Sequence, residues 1–562
     1  MAKRDGLLGI GLLAFAAVAG SACSFLVDAR VTDCTRDSDC ASKGESAKCR
    51  ISAGAGAGRC VQLDGRSCER TGDCRTDGGA VPTVCRVPND GGTLGVCVAL
   101  RTDECDTVIG NWQSDNAFVI GSILPTKGDD LSSGLACQNA IRMAIEEFPS
   151  GLPATPGEGA RRPIVLVGCN DGSDQEQGVR AARHLAEVGV PAIIGAQWSG
   201  ITRRIAEDVT IANGILLVSP SSTAATLTNL EDHGLVWRTA PSDTFQAEAL
   251  VQYVPVVEQF VRTQSGNPQK KIKLMIVYQS SDYGKGLSWL ISNANMNING
   301  QSLSQNQEQG LLAGFEYGDK TAGDVIQTDR AVEAILGFGP DIVVNLCTAE
   351  GVNKIFVPVE MAWPTLRPGV PGPRWIFGDG GKTGAVTVAV GANDELRRRV
   401  TGTVPGSDRP LFENFKVGYK IRFVSDLLGT DPTALGPAGA YDALYLLAFS
   451  ATTLGTRPVT GPNLASGMTL LVRGQTAVDV GPVGVTTAFR ELGAGRNIDF
   501  AGASGPLDFD LATGEAPSDI QVWCMPRGAD GKAINGVNSG IYLDAVTRRL
   551  QGTAYGPPCG FD

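Results

Sequence analysis

From about Asp115 onward the chain alternates short apolar runs with longer stretches whose apolar residues recur at helical spacing. Ala117–Leu124 is a short apolar run that stops at Pro125 and Gly128. Leu131–Phe148 carries apolar residues at helical spacing, and Ile164–Gly168 is a continuous apolar run, as a strand buried on both faces requires. The alternation continues through Gln175–Glu187, Pro191–Gly195, Ile201–Asn213, Ile215–Ser219, Val236–Thr239 and Thr244–Arg262. A second set runs through Lys273–Tyr278, Tyr283–Asn293, Ala331–Gly337, Asp341–Leu346, Val352–Met361 and Arg374–Phe377. Strands alternating with helices of this length predict βαβ units and parallel sheets covered by helices on both faces. The stretch is too long for one such sheet. The expected fold class is therefore α/β, with two doubly wound parallel-sheet lobes separated by a cleft. Ligands of open α/β sheets bind beyond the carboxyl ends of the strands, so two facing lobes would enclose one.

The pattern before Asp115 is different. Lys3 and Arg4 precede an uncharged apolar run from Gly6 to Gly20. At about 15 residues it is short of the roughly 20 a spanning helix needs. Small residues follow, and residues 1–22 are expected to be a secretory signal peptide. The segment Ala19-Gly20-Ser21-Ala22-Cys23 resembles a bacterial lipobox, with Gly20 where an aliphatic residue is usual, and makes Cys23 the expected lipid attachment site. Ordinary cleavage, with Cys23 as a further disulfide partner, is the alternative.

Of the 15 cysteines, nine lie between Cys34 and Cys105. Eight of them form a repeated grammar: Cys34, Cys40, Cys49 and Cys60 in residues 34–63, then Cys68, Cys74, Cys85 and Cys97 in residues 68–100. Units this small bury too little core to hold themselves, so cross-links substitute. Zinc sites want shorter Cys pairs than these, and an export signal favours disulfides. The expected organisation is a Cys-rich head over 23–105, a first lobe over 115–243 and 405–495, and a second lobe over 244–404 and 496–562. Each four-Cys unit allows three connectivities, and spacing does not choose among them.

Charge and chemistry exclude more than they add. The formal net charge of −11 argues against a nucleic-acid partner. The two histidines, His184 and His233, rule out a His-rich metal site. Gly381-Lys382-Thr383 ends like a P-loop, but Ile376 stands where its first Gly belongs. Asp171 and Asp174 lack calcium-loop spacing. No nucleophile elbow or zinc-protease motif occurs. The chain is expected not to be an enzyme, with no cofactor and no metal.

Several stretches, in order, resemble type I periplasmic solute-binding proteins of the leucine/isoleucine/valine-binding kind, the fold shared with receptor-family ligand-binding regions. They are Ile194–Gly200, Gly214–Thr223, Val236–Asp243, Asp282–Gly286, Tyr441–Tyr445 and Phe500–Asp510. The resemblance covers about 115–530. It implies that Ser199, Ser222 and Thr223 hold a ligand carboxylate, with Ser221 as a neighbour. The bland reading is that Ser221–Thr223 cap a helix. It also implies an acidic partner for the ligand ammonium on the second lobe. The usual Glu position matches Gly380 here, with Asp379 beside it. Tyr283 and Glu350 are expected at the same cleft. Cys169 matches half of a disulfide whose usual partner position is Trp198, and Cys137 is the expected replacement. Cys524 and Cys559 are expected to pin the C-terminal tail. The implied function is capture of a small amphoteric solute, a branched-chain amino acid, amide or relative, for an ABC-type permease. The alternative is a ligand-sensing or structural surface lipoprotein of the same fold. The expected location is the periplasmic or cell-surface face of a bacterial membrane, through a lipid anchor.

Overall fold

A computed structural model describes residues 33–34, 38–40, 47–50, 58–62, 67–74, 81–87, 94–153, 161–318, 327–406, 410–424 and 430–552. The signal peptide, Cys23 and Cys559 lie outside the described residues. The chain divides into two compact units, residues 1–66 and 67–562.

In the first unit, Ala47–Arg50 and Gly58–Gln62 form an antiparallel pair, with Asp33–Cys34 on the other side of Gly58–Gln62. Cys40 bonds to Cys60, and Cys34 is disulfide-bonded as well. The second four-Cys module opens the second unit and repeats the plan. Gly95–Ala99 lies between Ser67–Cys68 and Thr83–Arg86. Its bonds are Cys68–Cys85 and Cys74–Cys97, so first joins third and second joins fourth. This module packs onto the body. Val84 and Leu100 are buried in one core with Leu185 and Val188, and the Arg86 guanidinium donates to the Glu187 carbonyl at 2.9 Å.

The body's first lobe contains β1 (Thr107–Ile109), β2 (Phe118–Leu124), α1 (Leu131–Glu146), β3 (Ile164–Asn170), α2 (Gln175–Val188), β4 (Ala192–Gly195), α3 (Ser199–Ile205), β5 (Leu216–Ser219) and β6 (Val236–Arg238). Its sheet order is β6-β5-β4-β2-β3-β1, parallel except for β1. All seven residues of β3 are buried, which is why its sequence shows no alternation. The second lobe follows with α4 (Asp243–Gln264), β7 (Leu274–Gln279), α5 (Asp282–Ser292), β8 (Leu312–Tyr317), β9 (Ile342–Leu346), β10 (Arg374–Phe377) and β11 (Val400–Pro405). These strands run parallel in the order β8-β7-β9-β10-β11. Three antiparallel strands then extend the sheet: β12 (Ile520–Cys524), β13 (Val537–Asp544) and β14 (Arg549–Gln551). The apolar pattern did not predict this extension: β12 is buried throughout but carries Gln521 within it, and β13 alternates between buried and partly exposed positions.

The chain passes from the first sheet to the second after β6 and is back in the first lobe by helix Pro410–Arg422, whose Phe415 and Tyr419 are core residues there. Helix Pro437–Thr452 is apolar almost all round and buried over nearly its whole length, as a central helix must be. The Tyr441 and Tyr445 hydroxyls both donate to Glu147, at 2.5 and 2.6 Å. Ile498, Phe500, Leu507, Phe509 and Ala516 also belong to the first lobe's core. The last crossing therefore comes after 516, not at the expected 496.

The cysteines correct a second expectation. Cys169 bonds to Cys105, not to Cys137. The antiparallel edge strand β1 pairs Thr107 with Gly168 and so brings the two cysteines together. Cys137 faces inward from α1, its sulfur 4.0 Å from the Gln197 side-chain oxygen, and is a free, buried thiol. Cys347 is likewise free and buried, while Cys524 is disulfide-bonded. Among the described residues no helix is long and apolar enough to cross a membrane.

Candidate functional site

The carboxyl ends of β2, β3, β4 and β5 point toward those of β7, β9 and β10, and the loops that leave them enclose one cleft. About 660 Å³ of empty space, part of it open to solvent, lies between them. Six of the seven expected residues line it: Ser199, Ser221, Thr223, Tyr283, Glu350 and Asp379.

On the first lobe the hydroxyls are held by the backbone. The Ser199 oxygen, at the start of α3, accepts from the Thr223 and Ala224 N–H groups at 3.2 and 3.1 Å. That leaves the Ser199 proton for an acceptor in the cleft, because a hydroxyl has one donor and two acceptor lone pairs. Ser221 donates to the Gln197 carbonyl at 2.9 Å. Ser222 does not line the cleft, which corrects the expectation. Its hydroxyl turns into the lobe, 2.7 Å from that of Thr202, while its N–H bonds to Ser219 at 3.0 Å.

On the second lobe, α5 begins with Ser281 capping the Gly284 N–H, and this sets Tyr283 into the cleft wall. The Tyr283 hydroxyl is buried beside Asp379, and burial in that acidic setting raises its pKa well above the usual tyrosine range. Asp379 follows β10. One of its oxygens accepts from the Gly380 N–H at 2.9 Å, and the other has no hydrogen-bond partner. A β-carbon at Gly380 would stand 2.7 Å from the Cys347 carbonyl oxygen. The position therefore resists any side chain, and Asp379 beside it supplies a carboxylate to this wall. Asp243 lies close to Asp379. Gln246 ties the two together, donating to Asp243 at 3.0 Å and accepting from the Asp379 N–H at 2.9 Å. Burial raises the pKa of both carboxyls, and the neighbouring Asp379 raises that of Asp243 further. Glu350, after β9, is ion-paired with Lys354 at 2.8 Å.

Two residues that sequence reasoning passed over complete the wall. Asp130 stands at the N-cap of α1 but makes no capping bond. It accepts from the Ser173 hydroxyl at 2.6 Å instead, and Ser173 in turn receives the Trp198 indole N–H at 3.3 Å. Burial raises the Asp130 pKa to about 6. The signal was available: Asp129-Asp130 and Asp171-Gly172-Ser173 both follow strands, which is where open α/β sheets bind. At the cleft edge Arg203 of α3 pairs with Asp282 of α5 at 2.6 Å and joins the two lobes.

Comparisons with known proteins agree with this geometry. Residues 118–295 match the family model described as periplasmic binding protein. A Leu/Ile/Val-binding protein from Rhizobium johnstonii, BraC3, is 31% identical over 173 residues, 30% of this chain. The chain spans 42% of that relative's length. The leucine-binding protein LivK of Thermotoga maritima superposes with a TM-score of 0.51 at 20% identity, over 75% of this chain and 99% of that one. A solute-binding protein of an ABC transporter from R. palustris, solved with benzoate, superposes with a TM-score of 0.52 at 16% identity, over 75% and 98% of the two chains. The matched family is one of binding proteins, and its location is extracytoplasmic. Together the crossings and the sheet order give this chain the fold of the type I periplasmic binding proteins, and residues 118–295 match that family's model and are similar to the Leu/Ile/Val-binding proteins.

Proposed function

We propose that this protein captures a small amphoteric solute, of the amino-acid or amide class, in the interlobe cleft and presents it to an ABC-type permease. The observation that carries this reading is a single cleft lined by hydroxyls of one lobe and by buried carboxylates of the other. Ser199, with Ser221 and Thr223 beside it, would meet a carboxylate, and Asp379 with Tyr283 would meet an ammonium. Such a ligand touches both lobes and so favours the closed state over the open one. Acylation of Cys23 would keep the receptor at the membrane.

The test is a thermal-shift screen of the full chain against amino acids, amides and short peptides. A true ligand at about 100 times its Kd stabilises by about 2.7 kcal/mol. A shift that disappears in Ser199→Ala supports the reading. No shift with any of these solutes overturns it.

A further inference from the structure

The cleft's charge asks more of a ligand than one ammonium. Among the described residues four acidic side chains line it, Asp129 and Asp130 from the first lobe and Glu350 and Asp379 from the second, and no Lys, Arg or His does. Glu350 is ion-paired with Lys354, and the buried Arg238 near Asp243 is ion-paired with Glu515. Asp130 has no such cation. It is 6% exposed, one oxygen accepts from Ser173, and the other is buried without a partner. An unpaired buried carboxylate oxygen costs free energy until something donates to it. Asp379, 1% exposed, has the same kind of orphan oxygen.

The two orphans belong to different neighbourhoods. Asp130 sits among Asp129, Glu350 and the Trp198 indole, whereas Asp379 sits with Asp243 and Tyr283. A metal ion is a poor fit for either. Among the described residues no three carboxylate oxygens come within 4.8 Å of one another, so they do not converge on one ion. Two separated acceptors call instead for two donors on one molecule.

Resting on the receptor reading above, we infer that the ligand is cationic: a small solute with a second amino or guanidino group. Its first ammonium meets Asp379, and the second cation meets Asp130 beside the Trp198 indole. Branched-chain side chains offer nothing to Asp130.

The experiment is calorimetric titration of the full chain at neutral pH with L-lysine, L-ornithine, L-arginine and L-leucine. The expected result is that at least one basic amino acid binds tenfold or more tightly than leucine. Asp130→Asn should weaken that ligand by about 10- to 100-fold, the effect of losing one charge-assisted bond, and weaken leucine by a clearly smaller factor. The unliganded melting temperature of Asp130→Asn checks that the variant is folded. Leucine binding as tightly as every basic amino acid overturns the inference and leaves the receptor reading intact. Equal weakening of basic and neutral ligands in Asp130→Asn also overturns it. No binding by any solute, neutral or basic, overturns both.

Discussion

The two walls of the cleft are built on opposite terms. In the first lobe's wall Ser199 and Ser221 both take part in hydrogen bonds inside the lobe. In the second lobe's wall the Tyr283 hydroxyl and one oxygen of Asp379 are buried beside each other, with no well-formed hydrogen bond among the described residues. The first wall is finished before a ligand arrives, and the second has its polar partners to gain from one. Asp130 is the exception on the first lobe, a half-satisfied carboxylate among satisfied hydroxyls. The contrast suits a receptor whose ligand docks on one lobe and draws the other over it.

Four changes probe that contrast, and the largest effect belongs to Ser199→Ala. It strands two backbone N–H groups and should cost about 2–5 kcal/mol in the unliganded chain. Urea unfolding without ligand measures it. An unchanged unliganded midpoint would mean that the first wall is not preformed.

Asp130 comes next, with the opposite sign. Its folded pKa, about 6, lies above the ordinary carboxyl value of 3.8. The stability it contributes is therefore present below the unfolded value and lost as pH rises through about 6. Asp171, raised to about 7 by burial, adds in the same direction, and Asp129 and Glu350 are the further acidic neighbours. The unliganded protein should be more stable at pH 5 than at pH 7.5. Asp130→Asn should remove about 1–3 kcal/mol of that difference. Melting curves across pH read this directly, and a slope unaltered in the variant refutes it.

Ser222→Ala should cost about 1 kcal/mol of stability, because its hydroxyl bonds within the lobe, and leave ligand affinity unaltered. Paired with Ser199→Ala, it separates scaffold from wall by titration. Weakened binding in Ser222→Ala would place that side chain in the cleft after all.

The smallest effect is expected from Arg203→Ala. The pair with Asp282 joins the lobes but is partly exposed, with Arg203 35% and Asp282 22% open to solvent. Such pairs contribute about 0.2–1 kcal/mol, so affinity should fall by about two- to fivefold and fall less at high salt. Small-angle scattering of the liganded variant should show a larger open fraction.

Much of the body was legible along the chain. The strand at Arg374–Phe377 and the helices beginning near Leu131, Gln175 and Asp282 follow local apolar spacing, which neighbouring residues alone determine. The cleft was legible as a rule about strand ends; it was the resemblance, and not that rule, that singled out Ser199, Thr223, Tyr283 and Asp379, which the structure places along one cleft. Periodicity does not say which way a loop side chain turns. Ser221 and Ser222 are adjacent and chemically identical, yet one lines the cleft and the other the core. Asp130 looks like an ordinary helix cap until Ser173, 43 residues away, claims its oxygen.

The sequence by itself determined the order of βα units, the repeated four-Cys grammar and the kinds of side chain at the strand ends, because these depend on near neighbours and covalent spacing. Only the tertiary structure decided that Cys169 meets Cys105, that residues 498–516 return to the first lobe, and that Asp130 faces the cleft. Each of those depends on contacts between segments far apart in the chain, whose geometry exists only once both lobes have packed.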